Sequence, residues 1–153
     1  MDQNKFYMLQ ALKQAEIAFS EDEVPIGAVI VYNNRIIVKA HNQVETLKDA
    51  TAHAEMLVIT QAEAFLNDWR LNECTLYVTL EPCIMCFGAI LLSRLKKVVY
   101  AAKDNKIGSH DYFINYCENK NISNNIEIEG GVLEELSTDL LKKFFINKRK
   151  EKV

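Results

Sequence analysis

No apolar run in this chain of 153 residues approaches the roughly 20 needed for a membrane-crossing helix. A basic-then-apolar leader is missing too. The opening MDQNKFYMLQ is mixed and polar, which predicts a cytoplasmic protein with no membrane partner. Glycine and proline are scarce, at five and two, and no repeat, low-complexity stretch or linker breaks the sequence. One domain over residues 1–153 is the expected organisation. Strong charge of one sign is also lacking. The net charge of −3 argues weakly against a nucleic-acid binder, but its distribution points elsewhere. Lys142, Lys143, Lys148, Arg149, Lys150 and Lys152 against Glu151 place about +5 near the end and leave about −8 on the remainder. A basic end on an acidic body suits an RNA-facing patch. It equally suits a solvated helix end whose cations complement the macrodipole.

Hydrophobic residues make up 49% of the chain, enough for a core without disulfide staples. Phe6, Leu9, Leu12, Ile17 and Phe19 recur at close to helical spacing, predicting a helix over residues 5–20. Two apolar runs, residues 26–31 and 36–38, flank Asn33-Asn34 and read as a β-hairpin. A polar stretch over 42–51 leads into a helix over 53–66, a strand over 75–79, a helix over 84–93 and a strand over 97–102. Residues 103–125 are polar and rich in asparagine, with no clear element. A last strand over 126–129 and a basic C-terminal helix over about 132–148 complete the pattern. Interleaved helices and strands imply a layered α/β domain containing at least one parallel strand pair.

Four cysteines are present: Cys74, Cys83, Cys86 and Cys117. In a reducing compartment clustered cysteines are more often ligands or catalysts than disulfides. Cys83 and Cys86 form Pro-Cys-x-x-Cys across the first turn of a helix, where both sulfurs share a side and the helix dipole favours thiolates. Alone, that spacing fits a zinc site, a thioredoxin-like redox pair or two packed thiols.

His53 lies 30 positions upstream of Cys83, with Glu55 two residues after it, in Thr-Ala-His-Ala-Glu at another helix start. Three ligands, His53, Cys83 and Cys86, leave zinc (one ion per subunit) with an open fourth position for water. Cys74 and Cys117 have no adjacent ligand partner and read as single buried thiols. Such a zinc lowers the pKa of water toward neutrality, and Glu55, kept off the metal, is the catalytic proton carrier. The pairing of His-x-Glu with Pro-Cys-x-x-Cys is the signature of zinc nucleobase deaminases.

The resemblance extends further. Glu23-Val24-Pro25-Ile26-Gly27-Ala28-Val29, Ala40-His41-Asn42, residues 75–83, Gly88-Ala89, Ser93-Arg94, Val98-Val99-Tyr100 and Asp104 with Lys106 resemble the bacterial tRNA-specific adenosine deaminases over nearly the whole chain. The resemblance implies a three-layer α/β/α cytidine-deaminase-like fold, with a central mixed five-stranded sheet flanked by helices. It implies hydrolysis of the wobble adenosine of a tRNA anticodon stem-loop to inosine, by a homodimer. It also implies that Asn42 and the Ala54 amide contact the flipped base, that Ile26 and Leu80 wall its pocket, and that Asp104 and Lys106 lie on the RNA path. Taken alone, Asn42 also suits a turn, Asp104 and Lys106 a solvated loop, and Ile26 and Leu80 the core. The chain departs from the family pattern at Asp49-Ala50-Thr51, Ile107-Gly108-Ser109-His110-Asp111 and Ser123-Asn124. A deaminase of free guanine or cytosine shares the zinc signature and is the rival expectation.

Overall fold

A computed structural model describes residues 2–152. The first helix, α1 (Gln3–Ser20), is capped by Asp2, whose side chain accepts from the Asn4 amide. It is followed by β1 (Gly27–Tyr32) and β2 (Arg35–His41), an antiparallel hairpin. Asn33 and Asn34 both take positive φ, 50° and 59°, as a two-residue turn matching strand twist requires. Then come α2 (Val44–Leu47), α3 (Ala54–Leu66), β3 (Thr75–Leu80), α4 (Ile84–Leu92) and β4 (Lys97–Ala102). The chain continues through α5 (His110–Asn119), β5 (Glu127–Glu129) and α6 (Glu134–Glu151).

The five strands form one mixed sheet in the order β2-β1-β3-β4-β5. The β1–β3 pair is antiparallel, whereas β3–β4 and β4–β5 are parallel. Each parallel step is bridged by a helix, α4 and α5 respectively, because a parallel partner cannot be reached by a tight turn.

Side-chain alternation assigns the two faces. Val29, Val31, Tyr77, Val99 and Ala101 meet Tyr7, Met8 and Leu12 of α1. Ala28, Ile30, Leu76, Val78 and Val98 instead meet Val58 of α3, Phe87 of α4 and Phe113 of α5. A fully buried Leu or Ile in these layers contributes about 1.5–3 kcal/mol. Gly27 starts β1 where only glycine fits, since a Cβ there would lie 2.1 Å from the Ala11 carbonyl oxygen and 2.4 Å from the Ala15 nitrogen.

Two polar stretches are more ordered than expected. Residues 42–51 contain the short α2, held by Glu23: its buried carboxylate accepts from the Glu45 and Thr46 amides and the Thr46 hydroxyl at 2.9, 2.7 and 2.6 Å. Residues 103–125 contain α5, whose buried positions are only Phe113 and Cys117. That single stripe sits in an otherwise polar sequence. What secures it is tertiary: Phe113 stacks on Phe87 with centroids 4.9 Å apart and planes 13° apart. The basic helix also begins two residues later and ends three residues later than its periodicity predicts.

Candidate active site

The site forms where two helix N-termini converge at the carboxyl end of β3. His53 precedes α3 as its N-cap and Cys83 precedes α4 as its N-cap. Neither side chain makes the capping hydrogen bond usual at that position. Both turn instead toward each other. His53 Nδ1 lies 3.7 Å from Cys83 Sγ and 3.5 Å from Cys86 Sγ. The ligand atoms of the three residues all lie within 4.8 Å of one another, a group able to hold a metal ion.

The electrostatics follow from this crowding. The hydrogen bond from Cys86 is the largest influence on Cys83 and, with His53, brings its thiol down to about 4 against the opposing effect of burial. The same bond, with burial and the nearby Glu55, pushes the Cys86 thiol up. His53 is pushed up chiefly by its contact with Cys83, burial opposing. Exposed amides at the N-terminus of α4 reinforce the thiolate.

Glu55 lies in the first turn of α3 and is only 4% exposed. Burial is the main influence on its carboxyl and pushes its pKa up. It stands within electrostatic reach of His53 and Cys83. Ala54, between ligand and carboxylate, is fully buried. Cys74 and Cys117 are buried free thiols outside the triad, as their isolation in sequence implies.

The remaining expected contacts are placed less uniformly. Asn42 is buried and spans a turn: its Nδ2 donates to the Val24 carbonyl at 3.3 Å and its Oδ1 accepts from the Val44 amide at 3.4 Å. Ile26, half-buried, packs against the sheet core, and Leu80 is half-buried at the end of β3. Asp104 Oδ1 accepts from the amides of Lys106 and Ile107 at 2.9 and 3.3 Å, which shapes the loop after β4. Lys106 is exposed beside a groove of about 660 Å³. Lys103 shares that wall, and Lys142, Lys148 and Arg149 of α6, with Lys152 at its C-cap, form the other.

One residue of the site escaped sequence reasoning. Glu81 is buried directly before Pro82-Cys83, and its carboxylate accepts from the amides of Asp104 and His110 at 3.1 and 2.9 Å. The only available signal was a carboxylate next to the metal motif in an apolar strand end.

A histidine and two cysteines able to hold a metal ion, beside a buried carboxyl, have the parts needed to add water to a ring carbon and expel an amine. The match to deaminases over residues 1–149 makes the chain a hydrolytic deaminase of the cytidine-deaminase-like fold. The MafB19-like deaminase family profile matches residues 1–149. A tRNA-specific adenosine deaminase from Bacillus subtilis is 48% identical, covering 99% of this chain and 94% of that protein. A solved structure from studies of A-to-I editing by tRNA:A34 deaminases at the wobble position of transfer RNA is 38% identical with a TM-score of 0.83, covering 89% of this chain and 99% of that one. A guanine deaminase from Bacillus subtilis is 36% identical with a TM-score of 0.64, covering 70% of this chain and 73% of that one. The chain belongs to the family of tRNA-specific adenosine deaminases.

Proposed function

We propose that the chain hydrolyses the wobble adenosine of a tRNA anticodon stem-loop to inosine and ammonia at a zinc site formed by His53, Cys83 and Cys86. The observation that carries this reading is the triad geometry beside a buried Glu55. Tetrahedral zinc with bonds of about 2.0–2.1 Å to nitrogen and 2.3 Å to sulfur separates those ligand atoms by about 3.6 Å. The observed His–Cys distances of 3.5 and 3.7 Å bracket that value. When bound, zinc supplies Lewis acidity that makes water nucleophilic near neutral pH.

The protein groups supply the rest. Glu55, off the metal and buried, holds a proton readily because desolvation penalises its anion. It takes one proton from the attacking water and gives it to the purine ring nitrogen. It then takes the second from the hydroxyl added to the ring carbon and gives it to the departing amine. The Ala54 amide and Asn42 orient the base edge, and Ile26 and Leu80 close on its faces. A purine extruded from the anticodon stack reaches such a pocket.

RNA as substrate is supported by the groove between the loop after β4 and α6, which gathers six cations from Lys103 to Lys152 with Phe145 and Ile146. The relatives named for tRNA support the same choice. A homodimer is supported by exposed apolar side chains in the α3–α4 layer: Phe65, Ile84 and Leu92, the last 75% exposed. Free thiols at all four cysteines fit a cytoplasmic location. No helix among the described residues is long and apolar enough to cross a membrane.

The deciding experiment gives the zinc-loaded protein an adenosine-wobble tRNA, adenosine, guanine and cytosine in separate reactions. Inosine at the wobble position, with no ammonia from the free compounds, is expected. Ammonia from guanine or cytosine alone overturns the RNA reading.

A further inference from the structure

Glu81 is a buried carboxylate that the deamination chemistry does not use. Among the described residues it takes part in no salt bridge. Burying an anion without a cation is costly unless its oxygens are well satisfied. Here each oxygen accepts a backbone N–H: Oε1 from Asp104 at 3.1 Å and Oε2 from His110 at 2.9 Å. These amides stand at the two ends of the loop 104–110. The second belongs to the first residue of α5, where the helix dipole favours an anion.

The loop is pressed against the metal-ligand segment as well. Gly108 pairs with Cys83 in an isolated antiparallel bridge. Ser109 donates to the Pro82 carbonyl from both its amide, at 3.1 Å, and its hydroxyl, at 3.2 Å. A Cβ on Gly108 would lie 2.4 Å from the Asp104 carbonyl oxygen and 2.5 Å from Glu81 Cδ. Only glycine lets the loop close over the carboxylate. The same loop carries Lys106, and Lys103 immediately precedes Asp104; both line the basic groove.

We infer that Glu81 is a positioning residue for RNA capture: it ties the loop bearing Lys106 to the segment bearing Cys83, so that the groove and the metal site hold one fixed relation. This rests on the RNA reading given above. A glutamine at this position retains one acceptor oxygen and turns an NH2 donor toward the second amide, so one of the two tethers is broken.

The test compares zinc-loaded wild type, Glu81→Gln and Gly108→Ala as full chains. Three quantities are read: zinc per chain, amide hydrogen exchange at Asp104 and His110, and KM and kcat for an anticodon stem-loop RNA. Faster exchange at either amide and a KM raised by about tenfold are expected, with kcat within about threefold and zinc unchanged. Gly108→Ala retains the carboxylate but displaces the loop, so it gives the same pattern and serves if Glu81→Gln does not fold. A fall in kcat at unchanged KM, or loss of zinc with unchanged exchange, makes Glu81 a support for the ligand segment alone and overturns the inference. If wild type deaminates only a free base, the RNA reading fails. The exchange data then decide separately whether Glu81 holds the loop, and unchanged rates dismiss that as well.

Discussion

Lys148 Nζ lies 2.5 Å from Asp22 Oδ1, latching the last turns of α6 to the segment that follows α1. The same ammonium stands 5.6 Å from the Phe144 ring centroid, and Phe144 packs edge-on against Phe19 at 5.9 Å. The basic helix is therefore docked, and Lys148 serves both its attachment and the groove.

Lys148→Glu sets a carboxylate against Asp22 and removes a cation from the groove. RNA affinity should fall several-fold, and the slope of log affinity against log salt should shrink by about one for each phosphate no longer neutralised. Adding Asp22→Lys restores the attraction that docks α6 but not the groove charge, so affinity recovers only in part. Titration at several salt concentrations reads this. Unchanged affinity and slope would reduce the tail to solvated surface.

Glu55→Gln keeps the shape of the side chain and removes the carboxyl proposed to carry protons. Turnover should drop by at least about 10²–10⁴-fold, while zinc stays near one per chain and the fold is retained. Metal analysis beside single-turnover kinetics gives the answer. Zinc loss in this variant would instead mark Glu55 as a ligand or a structural support.

Removing metal with a chelator should lower the thermal midpoint and abolish turnover, because the zinc proposed at His53, Cys83 and Cys86 would bind the folded ligand set far better than the unfolded chain. Added zinc should raise the midpoint in a concentration-dependent way for wild type. Cys86→Ala, which takes away a buried ligand, should show neither response. A zinc-dependent midpoint in Cys86→Ala would place the metal elsewhere.

Glu23 should couple stability to acid. Burial raises its pKa, but the Thr46 side chain and the Glu45 and Thr46 amides outweigh burial and bring it below the ordinary 4.5. A depressed carboxylate stabilises the fold fully above its unfolded pKa, and that contribution disappears as pH falls through the lower folded value. In urea unfolding, wild type should exceed Glu23→Gln most near pH 7, with the gap narrowing below about pH 4.5 as the carboxylate gains its proton. A gap that does not vary between pH 7 and pH 3 would rule out the coupling.

Where apolar periodicity is strong, the fold is legible in the sequence alone. The β1–β2 hairpin, α3, β3, α4 and β4 lie within a few residues of their expected bounds, because each buries a regular face against the sheet. The candidate site was legible for a different reason. Metal chemistry admits few residue types, and His53, Glu55, Cys83 and Cys86 stand at local spacings set by single helix turns. α5 was not legible, since two buried residues in a polar helix make no periodic signal and Phe113 finds its stacking partner only across the fold.

By itself, then, the sequence singled out the candidate ligand set, the carboxyl proposed as proton carrier and the elements that present them, because those depend on chemistry and periodicity within a turn or two. Tertiary structure decided what lies far apart in the chain: His53 against Cys86, Lys148 against Asp22, and Glu81 against the amides of Asp104 and His110. Those contacts depend on how layers pack, and a buried carboxylate shows its purpose only when the amides facing it are known.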